Sequence, residues 1–166
     1  MTLPSSGSIS FSQIAVELGK ASNATISLND ADVRALAGKP TGSITLPTDF
    51  YGKSNSATLT VAFNANRYGF YLSVPFGSIS PAVLKGYTII GLFWSVTTNG
   101  ITLEFSGALP NSGWDTLDIS GTTFSRALAY YSLQPSGLNL TRWTWTSVLT
   151  NPFGYTTGAT RIIKIT

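Results

Sequence analysis

A chain of 166 residues with 43% hydrophobic and 12% aromatic positions can build a core, and with only 10% charged residues, against about 25% in an ordinary soluble domain, it is excluded from bulk disorder. The net charge of +3 is spread thinly, with six bases against three acids over residues 54–166 and four of each over residues 1–53, so the basic patch or stripe that nucleic acid needs is missing. With no cysteine and no histidine, disulfides, thiolate or imidazole metal sites, and Ser-His-Asp or Cys-His catalysis are out of reach.

Residues 1–54 read as a leader of short helical turns. Ser10 and Gln13 have capping-box spacing. Phe11, Ile14, Ala15 and Leu18 then fall on one helical face, and Gly19 stands where a left-handed C-cap belongs, so a helix is predicted over residues 11–18. A second helix is predicted to start at Asn29, whose side chain would accept from the amide of Asp32. Val33 and Leu36 share its apolar face, and Gly38 followed by Pro40 ends it. Asp30 and Asp32 lie in its first turn, where the helix dipole favours them. Residues 46–52, LPTDFYG, predict a single turn that starts with Pro and ends with Gly. GSISF at 7–11 and GSITL at 42–46 echo each other, each leading into a helical turn; GSISP at 77–81 repeats the spacing, but its flanks differ and it is read as chance.

Two-turn helices are marginal in water, because nucleation is costly and few hydrogen bonds repay it. The leader is also sparse in large apolar side chains, and a unit of its size is marginal even with a good core. It is therefore expected to gain order by packing on its own β-domain, on a neighbouring copy or on another protein. Its candidate docking interface is Phe11, Ile14, Leu18, Val33, Leu36, Ile44, Phe50 and Tyr51.

From residue 55 to residue 166 the apolar period changes to two. Thr58, Thr60 and Ala62 alternate with Leu59, Val61 and Phe63, and the turn Asn64-Ala65-Asn66 leads into a returning strand, so residues 57–74 read as a hairpin. Residues 75–81 read as a loop, since Pro cannot donate to a ladder. Residues 87–96, YTIIGLFWSV, are apolar on both alternating faces and predict a central strand. Thr98-Asn99-Gly100 turns the chain into a strand over 101–105. Further strands are expected at 116–119, 122–125, 127–133, 141–149 and 160–165. Eight or nine strands with Gly, Asn and Pro turns predict a mainly β protein, a two-sheet β-sandwich preceded by the small helical module; a barrel is the second choice.

Most of the aromatic residues are expected in the core. Trp114, after Asn111-Ser112-Gly113, and Tyr155, within Asn151-Pro152-Phe153-Gly154-Tyr155, sit in loops and are the candidates for exposed contact with a partner or a glycan. Glutamate 104 with Asp115 or Asp118 is the only carboxylate pairing that a glycosidase could draw from the β-domain, a spacing that chance supplies. Calcium through Asp115 and Asp118 would lack a dense loop of oxygen ligands, and no phosphate-binding Gly motif occurs. No enzyme, metal site or cofactor is expected. There is no charged stretch leading into an apolar run at the N-terminus, so no signal peptide is expected. The apolar run at 87–96 falls far short of the roughly 20 residues of a membrane helix.

The blocks LPSSGSISFSQIAVELG, SLNDADVRALAG and GSITLPTDFYGKS, in this order within residues 3–54, resemble a segment that begins many virion proteins of tailed bacteriophages. The matching residues are Leu3, Pro4, Ser5, Gly7, Ile9, Ile14, Leu18, Gly19, Val33, Leu36, Ala37, Gly38, Ile44, Phe50, Tyr51 and Gly52, about a third of the chain being covered. In FGSISPAVLKGYTIIGLFW and TRWTWTSVLTNPFG the remainder is similar, more weakly, to β-domains of phage tail-associated proteins. The resemblance implies a virion structural protein that is tail-associated, as a fibre, baseplate or tail-tip adaptor or adhesin. It implies docking by the N-terminal module onto other virion proteins and copies of itself, and display of the β-domain toward a host surface glycan or receptor. The chain has no collagen-like, heptad or β-helix repeat to give it length, which favours a compact subunit over a full fibre. The alternative is a capsid decoration or cement protein on the phage head.

Overall fold

Alternating hydrophobicity and glycine- or asparagine-bearing turns lay the chain after residue 55 into two antiparallel sheets. The computed structural model describes residues 3–39, 41–53, 55–133 and 139–166. Pro40, expected to help end the second helix, and Ser54, the last residue of the expected leader, lie outside these residues. The strands are β1 Ser56–Thr60, β2 Ala62–Asn64, β3 Arg67–Tyr71, β4 Ser78–Ser80, β5 Val83–Leu84, β6 Tyr87–Ser95, β7 Gly100–Ser106, β8 Thr116–Ile119, β9 Thr122–Ser125, β10 Tyr130–Leu133, β11 Leu140–Trp145 and β12 Thr160–Ile165. A five-stranded sheet runs β4-β1-β12-β8-β9. A seven-stranded one runs β10-β11-β7-β6-β3-β2, with β5 also paired to β6. The protein is thus mainly β, a sandwich of two sheets. Its strands outnumber the expected eight or nine because several span only two or three residues.

The inner faces close on one apolar cluster. Leu59, Leu117, Ile119, Ile163 and Ile165 enter it from the smaller sheet, and Leu92, Trp94, Leu103, Phe105, Trp143 and Trp145 from the larger one. Strand β6 is central, as its two apolar faces require: Leu92 and Trp94 point into the cluster while Phe93, 6% exposed, is buried on the outer face. The tight turns take the conformations their residues favour. Ala65 and Asn66 have φ of 45° and 74°, and Ser120 and Gly121 have 49° and 93°, the left-handed pair of a two-residue hairpin turn.

The strand expectations need correction in three respects. The run from 58 to 63 is not one strand, and the hairpin is shorter than 57–74. Strand β1 pairs with β12 and β4 in the smaller sheet, whereas β2 pairs with β3 in the larger one. The chain crosses between sheets at Val61, whose amide donates to the Ala159 carbonyl and whose carbonyl accepts from Gly158. Alternation survives the crossing, so Leu59 and Val61 are buried, but Phe63 emerges 49% exposed on an edge strand. Second, residues 75–81 are not all loop. Ser78–Ser80 forms the edge strand β4 on β1, with Pro75 and Pro81 just outside it, where prolines cost no ladder bond. Gly77 makes the approach feasible: its φ is 65°, and a Cβ there would collide with the Gly69 carbonyl oxygen and lie 2.8 Å from that of Thr60. Third, the strand expected over 141–149 ends at Trp145, and the one over 127–133 begins only at Tyr130, after a 3₁₀ turn at Arg126–Leu128.

The N-terminal module holds helix α1 Phe11–Glu17, helix α2 Ala31–Ala37 and a 3₁₀ turn at Thr48–Phe50. The Ser10 capping box is complete: the Gln13 amide donates to Ser10 Oγ at 3.2 Å, and the Ser10 amide donates to Gln13 Oε1 at 2.8 Å. Helix α2 ends at Gly38 in the left-handed region, as expected. Its N-cap is Asp30, not Asn29. A turn opens ahead of it, in which the Asn29 amide donates to Ser27 Oγ and the Ser27 amide to Asp30 Oδ2. That turn places Asn29 outside the helix.

Candidate functional site

The module closes on itself. Leu3, Ile14, Leu18, Val33, Leu36, Ala37 and Phe50 form a second buried cluster, ringed by Ile9, Ile26, Leu28, Ile44 and Leu46. Its two ends are stitched together. The Leu3 amide donates to the Lys53 carbonyl at 2.9 Å and that of Gly52 to Pro4 at 3.0 Å; the Tyr51 hydroxyl donates to Gly7 at 2.7 Å. Of the residues expected to form a docking interface, Ile14, Leu18, Val33, Leu36 and Phe50 are therefore interior, and Ile44 and Tyr51 are half-buried. Each short element is marginal alone, but each buries its stripe against the other two. Phe11, 45% exposed, is the member that faces solvent, and α1 also exposes Val16.

Charges brace the module. Asp32 takes Lys20 at 2.8 Å and Asp49 takes Lys39 at 3.3 Å. Burial opposes the charge on Asp32, but the hydrogen bond and charge of Lys20 and the Val33 amide outweigh it, and its pKa lies below the ordinary value. The Thr45 amide, with Lys39, holds Asp49 below its ordinary value as well. The module leans on the sandwich through Asn55. Its amide donates to Glu17 Oε1 at 2.9 Å, and its side-chain nitrogen donates to the Ile165 carbonyl at 3.4 Å.

The two aromatic candidates part ways. Trp114 is 2% exposed, which corrects its expected role as a surface contact. The segment that carries it is drawn inward, because the Asp115 amide donates to the Thr166 carbonyl at 2.5 Å and Arg126 Nε donates to the Trp114 carbonyl. The Trp114 ring then stands edge-on to Trp143 at 5.3 Å and to Phe105 at 6.2 Å. Tyr155 is 64% exposed. It meets Tyr68 edge-on at 5.2 Å, and Tyr68 in turn lies 4.6 Å from the exposed Phe63. Tyr155, Tyr68 and Phe63 form an aromatic patch at the β2 edge.

A third feature went unread in the sequence. Strand register lines up Arg142, Glu104, Gly91 and Tyr71 across β11, β7, β6 and β3 on the outer face of the larger sheet. Beside them is a cleft of about 200 Å³ lined by Arg67, Tyr71, Phe93, Thr102, Glu104 and Arg142 among others. Glu104 is fully buried. Its Oε1 accepts from Arg142 Nε at 2.7 Å and lies 2.7 Å from Arg142 Nη2, whereas its Oε2 has no partner. The Arg67 guanidinium lies over the Phe93 ring at 5.0 Å and over Tyr71 at 5.8 Å. The signal was present in ITLEF, where Thr102 and Glu104 take the outward positions. What was missing was the partner, 38 residues away in sequence.

The carboxylate pairing left open by the sequence is not assembled. Glu104 faces outward from the larger sheet and Asp118, between the buried Leu117 and Ile119, faces outward from the smaller one. The roughly 10 Å spacing of packed sheets lies between them. Asp115 is exposed and faces Arg126 at 3.7 Å. No helix among the described residues is long and apolar enough to cross a membrane. No protein-family model, curated protein or solved structure matches the chain.

Proposed function

We propose that this chain is a structural protein of a tailed-bacteriophage virion, tail-associated and without enzymatic activity, which docks by its N-terminal module and displays the β-sandwich. The observation that carries the reading is where the phage-like blocks fall on the fold. LPSSGSISFSQIAVELG supplies Leu3, Ile14 and Leu18, SLNDADVRALAG supplies Val33 and Leu36, and GSITLPTDFYGKS supplies Phe50, all to one cluster. Three blocks that resemble a phage segment are the three parts of one folded unit, which is how a transferable docking module would be built.

Docking falls to the outside of that unit, where Phe11 and Val16 are exposed, because its interior residues are spent on each other. The partners are other virion proteins and further copies of this chain. A surface with few charges resists association weakly, which suits a subunit of an assembly. On the sandwich, the patch of Tyr155, Tyr68 and Phe63 is available to a host surface glycan or receptor.

The test is to locate the chain in an electron-microscopy map of the purified particle. Density at the tail that this two-part fold fills supports the proposal. Density on the head shell would replace it with the decoration role, and absence from the particle would end both.

A further inference from the structure

The cleft on the outer face of the larger sheet makes two demands that no neighbour meets. The first is for negative charge. Two guanidiniums, Arg67 and Arg142, against one carboxylate, Glu104, leave one positive charge, and Arg67 has no ion-pair partner among the described residues. The Arg67 guanidinium lies over the Phe93 ring at 5.0 Å, a cation–π contact that takes none of its N–H donors. The second demand is for a donor. Glu104 Oε2 is buried with no hydrogen bond, a state that costs a carboxylate dearly unless something supplies one.

We propose that this cleft binds one acidic sugar residue, a ring bearing a carboxylate beside free hydroxyls. The carboxylate takes the Arg67 fork, and a neighbouring hydroxyl donates to Glu104 Oε2. A lone carboxylate, an ammonium group or a neutral sugar meets one demand. A simple carboxylate, or an aspartate or glutamate of another protein, brings acceptors alone. An ammonium group brings donors but faces two guanidiniums. A neutral sugar satisfies Glu104 and leaves Arg67 without a counter-charge. At about 200 Å³, the cleft is smaller than the roughly 300–1,000 Å³ of drug-sized sites, which fits a single ring.

Gly91 prepares the site. A Cβ there would lie 2.7 Å from Tyr71 Cδ2 and 3.4 Å from Glu104 Oε2, so the missing side chain seats the Tyr71 ring next to Oε2. Tyr71 is half-buried at the rim. For a ligand hydroxyl to reach Oε2 the Tyr71 ring must turn aside, and the turned ring would then wall the cleft. The inference rests on the display role only for the source of the sugar, and binding by the purified chain is independent of where the chain sits in a particle.

The experiment titrates the purified full chain, by calorimetry and by NMR, with methyl β-glucuronide and N-acetylneuraminic acid, and in parallel with methyl β-glucoside and acetate. At least one acidic sugar is expected to bind about tenfold or more tightly than either control, the effect of one added charge-assisted hydrogen bond. Arg67→Ala, at a half-buried position, is expected to remove that preference with tryptophan fluorescence unchanged. Glu104→Gln, which takes the anionic acceptor away from the hydroxyl, is expected to weaken the neutral sugar. No binding of either acid, acetate as tight as the sugars, or an undiminished preference in Arg67→Ala would each overturn the assignment.

Discussion

The module and the sandwich are both closed around apolar clusters, but they are closed by different means. The module relies on local structure: a capping box, a left-handed glycine, and turns spanning three or four residues, with its ends tied where Leu3 meets Lys53. Its cluster holds one aromatic ring, Phe50. The sandwich relies on distant pairing, with Ser56 opposite Lys164 on adjacent strands, and its cluster holds all four tryptophans of the chain. Burial of large rings brings more apolar area out of water than burial of Leu, Ile and Val. The sandwich is therefore the sturdier region, and the module is the one whose stability small changes can tune.

Optics separate the two. Tryptophan fluorescence reports the sandwich alone, whereas ellipticity at 222 nm is weighted toward α1 and α2 in the module. The largest expected effect is that of Trp143→Ala, which empties a fully buried site at a cost of about 3–5 kcal/mol. It should move the fluorescence midpoint in denaturant strongly, and a helical signal that outlasts it would sharpen the distinction between regions. Next is Ile14→Ala, also fully buried, at about 2–5 kcal/mol. It should shift the 222 nm transition and leave the fluorescence midpoint in place. Equal shifts in both signals would break the comparison and make the chain one cooperative unit.

A smaller change follows from Ser10→Ala, which removes a hydrogen-bonded cap for about 1 kcal/mol, again read at 222 nm. Acid gives the smallest effect. The pKa values of Asp32 and Asp49 are depressed in the folded module, so their contribution is present above the unfolded carboxylate value of about 3.9 and is lost as pH falls through the folded ones. The module should loosen below about pH 4, and Asp32→Asn should remove its share of that dependence.

Local rules made much of the fold legible. Ser10 with Gln13, Gly38, and the Ser120-Gly121 turn each fix conformation within a few residues, and all three behave as their chemistry requires. The alternation of residues 87–96 likewise marked a strand covered on both faces. Legibility stopped where distant pairing decides. Nothing near Val61 announces that the chain changes sheets there, since the residues that hold the corner are Gly158 and Ala159. Trp114 follows a loop-like Asn-Ser-Gly, yet Thr166 and Arg126 draw it under the sheet edge. Five of the expected docking residues, Ile14, Leu18, Val33, Leu36 and Phe50, lie inside for a related reason: α1, α2 and the 3₁₀ turn bury one another, which neither helix shows alone. Glu104 and Arg142 meet only because β7 and β11 pair.

Hydrogen exchange of the free monomer, resolved by residue, tests the central claim that the module is folded by its own cluster. The amides of Leu18, Arg34 and Gly38, which donate to Ile14, Asp30 and Ala35, should be protected, though less than Leu103 and Trp143 in the sandwich. Full exchange at those three positions in the free chain, with protection only after assembly, would contradict the account and return the apolar faces of α1 and α2 to a partner.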